Sequence, residues 1–217
     1  MLCRMRTWIG GLVVVCSLVE VAHAQELSAP SSRYEPSAQA AASRLADLRL
    51  SIRDGRRTAG FWLLGVGLAS TLGGAALALA GHEQHALLAG GITTGSFGAI
   101  NALLSFGLLD LSEARLQRIQ AERDPQRFVQ LREAELVAQL ESGQFFAVNT
   151  GLDVFYIASG ALLCVIAAVR DERDRWELGA GIASIGQGLF LLTFDVVNWM
   201  AANRRADAIR ALHPSGG

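Results

Sequence analysis

Two carboxylates stand where carboxylates are costly. Asp153 is the only formal charge between Ser142 and Val169, and Asp195 the only one between Leu178 and Ala202. Asn101, Asn149 and Asn198 lie in equally apolar surroundings. An acid at the centre of a bilayer costs about 3 kcal/mol, so it should face other helices and find a partner there. One chemistry open to such a pair is a protonatable site lining a cavity, a proton or cation relay. The other is a structural network with the three asparagines, or bonds to Arg57, Arg204 or Arg205 at the interface. The structural reading is preferred, because four spans make a small transporter and no broken-helix pattern interrupts them. Paired acids also serve intramembrane aspartyl proteolysis, but Leu152 and Phe194 precede these two where glycine-flanked acids are wanted.

The one histidine cluster, His82-Glu83-Gln84-His85, is a residue short of the H-E-x-x-H spacing that puts two imidazoles on one helix face. His82 and His85 are weak metal candidates, and a solvated turn is the preferred reading. Gly65-x-Gly67 lacks the third glycine, the preceding strand and the downstream acid of a dinucleotide site. No nucleophile–base set and no phosphate-cradling loop is evident, so neither enzyme activity nor a cofactor is expected.

These residues sit on unusually apolar elements. The chain has 217 residues, 51% of them hydrophobic and 18% charged. Its mean hydropathy of +0.32 is too high for a solvated domain surface. All 19 basic residues are Arg and the net charge is −1, which argues against nucleic acid as a partner. Thr58–Gly81 and Ala86–Leu109 each run 24 residues without a charge; Ser142–Val169 and Leu178–Ala202 run 28 and 25 with one each. Runs of about 18 or more apolar residues read as transmembrane helices, because only an unbroken helix satisfies its own backbone in hydrocarbon. Phe61, Trp62, Phe145, Phe146 and Trp199 mark one set of span ends and Trp176 the other, as aromatic side chains at headgroup level do.

Glycines recur within the spans. Gly65, Gly74, Gly91, Gly95, Gly160 and Gly188 are the expected helix-packing positions, since helices in lipid are held by close backbone approach rather than by hydrophobic drive.

The polar segments complete the layout. Residues 1–24 read as a cleaved signal peptide: Arg4 and Arg6, twelve apolar residues from Trp8 to Val19, then Ala22-His23-Ala24. Cleavage leaves Cys164 as the one cysteine, so no intramolecular disulfide is expected. Residues 25–37 form a flexible lead-in. Residues 38–57 form an amphipathic helix with Ala41, Leu45, Leu48 and Ile52 on one stripe. Residues 110–141 form a polar helical hairpin: 111–123 continue the second span, and Asp124-Pro125 restarts a helix with Asp as N-cap and Pro at its first position. Residues 203–217 form a polar tail. The expected fold is therefore all-α, an integral-membrane antiparallel four-helix bundle whose helices extend beyond the bilayer on one side.

A weak internal duplication runs through it. An offset of 86 pairs Gly74 with Gly160 and Leu77 with Leu163, and an offset of 90 pairs Gly91 with Gly181 and Gly98 with Gly188. Orientation is contested. A cleaved signal puts the Arg-rich segments outside, whereas their 14 Arg against three in the short turns call for the inside. The signal acts first and is given precedence. The leading function class is a non-enzymatic scaffold or accessory subunit of a bacterial inner membrane. It would act through its projecting helices on the bilayer, on a partner membrane protein or on further copies of itself. The alternative is a small proton- or cation-coupled transporter using Asp153, Asp195 and Asn101.

Overall fold

A computed structural model describes residues 38–109, 119, 124–170 and 175–212. The signal peptide, the lead-in, most of 110–123 and the last residues of the tail lie outside them. The described chain is all-α, with four helices: α1 (Ala38–Ala80), α2 (His85–Leu108), α3 (Pro125–Val169) and α4 (Trp176–Arg210). All four are long and apolar enough to cross a membrane.

Three of them run well past the apolar stretches. The amphipathic segment 38–57 and the first span are one unbroken helix of 43 residues, and 125–141 joins the third span in a helix of 45. No proline stands inside either helix beyond the first position of α3, so nothing interrupts the ladder. Asp124 caps α3, its Oδ1 accepting from the Gln126 amide at 2.9 Å with Pro125 in the first turn.

The helix of the second span ends at Leu108, where the backbone turns extended at Leu109 (φ −71°, ψ 96°); the expected continuation over 111–123 lies outside the described residues apart from Ile119. Leu109 lies over Gly60 of α1, where an added Cβ would sit 2.9 Å from Leu109 Cδ2.

Packing changes character along the helices. The charged end has an ordinary core of Ala41, Ala42, Leu45, Ala46, Ile52, Phe128, Ile209 and Leu212, joined by Ile119. Across this region Arg49 Nη1 meets Glu135 Oε2 at 3.5 Å, both side chains buried. In the apolar stretches the pattern inverts: Leu72, Leu79, Leu103 and Val169 are 71–78% exposed, while glycines lie at the contacts. Large apolar side chains outside and small ones inside suit helices surrounded by lipid. α1 packs along α2 and α3 along α4, and the two pairs meet chiefly through α2 and α4.

Candidate functional site

The backbones of α2 and α3 stay apart, and a cavity of about 580 Å³ lies between them. Asn101, Asn149, Asp153 and Asp195 all line it. Asn101, Asp153 and Asp195 are 1%, 2% and 6% exposed, and the two acid side chains interact directly. Asp153 Oδ2 and Asn101 Nδ2 are buried with no hydrogen-bond partner among the described residues. Apolar and aromatic groups make up most of the remaining wall, with Phe97 and Tyr156 edge-to-face at 5.1 Å and 82°. Phe146, expected at a headgroup boundary, is instead buried against Leu63 and Phe194.

Asn198 does not belong to this group. Its Nδ2 donates to the Phe194 carbonyl one turn back, at 2.8 Å, and it lines a separate small cleft beside Arg205. An amide that donates to a carbonyl one turn back on its own helix needs no partner on another. Four of the five polar residues therefore line the cavity together.

A period of seven explains why the acids meet. Gln139, Phe146, Asp153, Gly160 and Ala167 are all buried along α3, as are Gly181, Gly188, Asp195, Ala202 and Ile209 along α4. Seven-residue spacing keeps one stripe of a helix against its neighbour. Asp153 and Asp195 thus share a buried stripe with Gly160 and Ala167 on one helix and Gly181, Gly188 and Ala202 on the other, which puts both carboxyls into the α3–α4 seam. That signal is present in the sequence as the seven-residue spacing itself.

The packing glycines divide. Added Cβ atoms at Gly74, Gly91, Gly160 and Gly188 would meet neighbouring backbone or side-chain atoms within about 3 Å of contact, so these four sit at helix crossings. Gly95 is looser, its nearest such neighbour being the Thr71 carbonyl at 3.6 Å. Gly65 has nothing within 4 Å and faces outward; its expected role falls to Gly67, two residues on and in phase with Gly74. His82 and His85 lie at an exposed turn and helix start, with His82 Nε2 3.8 Å from Glu83.

The duplication holds in three dimensions. Gly74 meets Gly91 and Gly95 as Gly160 meets Gly181 and Ile185; Gly98 meets Gly67 and Thr71 as Gly188 meets Asp153 and Ile157. Ser70 accepts from Gln187 Nε2 at 3.2 Å, and their equivalents Tyr156 and Phe97 form the ring pair. Arg49 and Glu135 are themselves 86 apart, so equivalent positions touch there, as they do near an axis relating two halves. The acids break this symmetry. Asp153 corresponds to Gly67 and Asp195 to Ser105, so only the second half carries them.

Charge of the other sign gathers near the cavity's charged end. Arg56 lines it with Glu141 and donates from Nη2 to the Gly107 carbonyl at 3.4 Å. Arg205 packs its guanidinium into the notch left by Gly55. Burial, and secondarily Arg56, holds the Arg205 pKa below its usual value.

Residues 62–196 match a family of unknown function, DUF6992. The chain belongs to that family. The DUF6992 segment opens at Trp62, within the apolar part of α1, and closes one residue after Asp195. It contains the second and third apolar stretches whole, most of the first and fourth, and both acids, and leaves out Arg49 and Arg205. No curated protein and no solved structure matches the chain.

Proposed function

We propose that this is a multi-pass membrane protein whose working part is the acid-lined cavity, and that it acts as a small proton- or cation-coupled carrier. The observation that carries this reading is the convergence of Asp153, Asp195 and Asn101, nearly fully buried, on one cavity of about 580 Å³. Two carboxyls in contact repel when both are ionised, so such a pair favours holding a proton or a cation between them. A purely structural network would satisfy its members, yet Asp153 Oδ2 and Asn101 Nδ2 lack hydrogen-bond partners among the described residues. In this reading four antiparallel helices cross the bilayer of a bacterial inner membrane, with the charged ends of α1, α3 and α4 projecting on one side.

The weight thereby moves from scaffold to carrier. The apolar stripe of 38–57, on which a scaffold would present itself, is spent inside the protein: Ala41, Leu45 and Ile52 are buried in the charged-end core. The scaffold or accessory-subunit reading keeps one support, the unbroken helical backbone through all four apolar stretches, since carriers commonly break helices at their sites.

Reconstitution decides between them. Wild-type vesicles should show flux driven by a pH gradient, and Asp153→Asn and Asp195→Asn should abolish it while insertion is kept. Unchanged flux in both variants, or none in wild type, would refute the carrier reading. Loss of partner co-purification on deleting 38–57 would speak for the scaffold.

A further inference from the structure

The cavity is much larger than its acids need. A proton or a bare ion is satisfied by a few oxygens, and a single water takes up only about 30 Å³ of liquid. About 580 Å³ instead falls within the roughly 300–1,000 Å³ typical of organic-ligand sites.

The wall has two kinds of surface. One patch holds the two interacting acids, with Asp153 Oδ2 buried and without a hydrogen-bond partner among the described residues. The rest is aromatic and aliphatic: Phe97, Phe145 and Tyr156 line it, and the face of such a ring attracts a cation within about 6 Å. Among the described residues the one basic side chain on the wall is Arg56, which lines the charged end with Glu141 and directs its Nη2 to the Gly107 carbonyl. Asp153 is eleven residues further along α3 than Ser142, which lines that same end; this is roughly 16 Å of helix. Access is lateral, because α2 and α3 stand apart. The residues beside the opening include Ile100 and Leu104 of α2 and Phe145 and Leu152 of α3, each about half exposed.

We propose that the cavity between α2 and α3 binds an amphiphilic organic cation, its amine or onium group held by Asp153 and Asp195 and its apolar body lying against Phe97, Phe145 and Tyr156. The proposal rests on the reading of the cavity as the working site and adds the class of substrate. Charge is matched by the acids, bulk by the rings, and entry from lipid by the apolar rim.

The test is equilibrium binding to the full chain in detergent, by calorimetric titration with tetraphenylphosphonium and with triphenylphosphine oxide, a neutral molecule of related shape. The phosphonium should bind saturably and the oxide about tenfold more weakly or worse. Asp153→Asn and Asp195→Asn should each weaken the phosphonium about tenfold or more, leaving the oxide unchanged, and Tyr156→Leu should cost a few-fold. Equal binding of the two probes, no saturable phosphonium binding, or phosphonium affinity indifferent to both Asn variants would overturn the proposal. The comparison of probes uses the unaltered chain, so it stands even where a variant fails to fold. Acid-dependent phosphonium binding without any flux would overturn carriage alone, and acid-dependent flux without phosphonium binding would overturn this proposal alone.

Discussion

Exchanging Arg49 and Glu135 tests both the buried ion pair and the repeat. The side chains are 4% and 2% exposed and meet at 3.5 Å between equivalent positions of the two halves. Reversing either one alone buries two like charges together. Breaking a buried pair costs about 3–5 kcal/mol, and for a chain of this size each kcal/mol lowers the melting temperature by roughly 2–4 °C. Arg49→Glu and Glu135→Arg should therefore each lower it by roughly 6–20 °C. The double exchange restores opposite charges in positions that share a local frame, flanked for instance by Leu45 and Leu131, themselves equivalent across the halves. It should recover at least half of the loss from either single change. Full recovery is not expected, because Ala42 in one half faces the role of Phe128 in the other. Thermal unfolding followed by tryptophan fluorescence in detergent reads this directly. If the exchange is as damaging as the two single changes added together, the pair is not coupled and the equivalence of the halves is wrong at this position.

Gly98→Ala should lower thermal stability by about 1–3 kcal/mol, since its Cβ would lie 2.6 Å from the Gly67 carbonyl and the helices must part. Gly65→Ala, with nothing within 4 Å, should cost nothing in the same melt. Phe128→Ala, 2% exposed in the charged-end core, should cost about 3–5 kcal/mol and leave the α1–α2 glycine contacts intact by crosslinking between cysteines placed along them. Removing detergent from the purified chain should precipitate it, because Leu72, Leu79, Leu103 and Val169 are exposed; a monodisperse chain in plain buffer on size exclusion would refute the membrane reading.

Much of the architecture was legible because it follows from local pattern. Four apolar runs with at most one charge each can be little else than long helices, and Asp124-Pro125 marks a start by the chemistry of capping. The stripe from Ala41 to Ile52 announced a buried face, although what it faces is a core built from α1, α3 and α4 together. The chain's departure from helix at Leu109 was not legible, since nothing in Gly107-Leu108-Leu109 compels it. Gly60, forty-nine residues earlier, provides the surface on which Leu109 settles. The site was half legible. The acids and Asn101 stood out by polarity, whereas Tyr156 and Phe97 looked like ordinary apolar-span residues and Asn198 looked like a member.

The sequence alone determined the elements and their fitness, in length and apolarity, to cross a membrane, because hydropathy and helical period are properties of consecutive residues. It also held the seven-residue phase that carries Asp153 and Asp195 to one seam. Tertiary structure decided what that seam encloses. Whether two helices touch or stand apart depends on side chains contributed by both, and here α1 and α2 close on glycine while α2 and α3 are held apart around Phe97 and Tyr156. A cavity is a property of the space between chains of atoms, and no single stretch of residues encodes it.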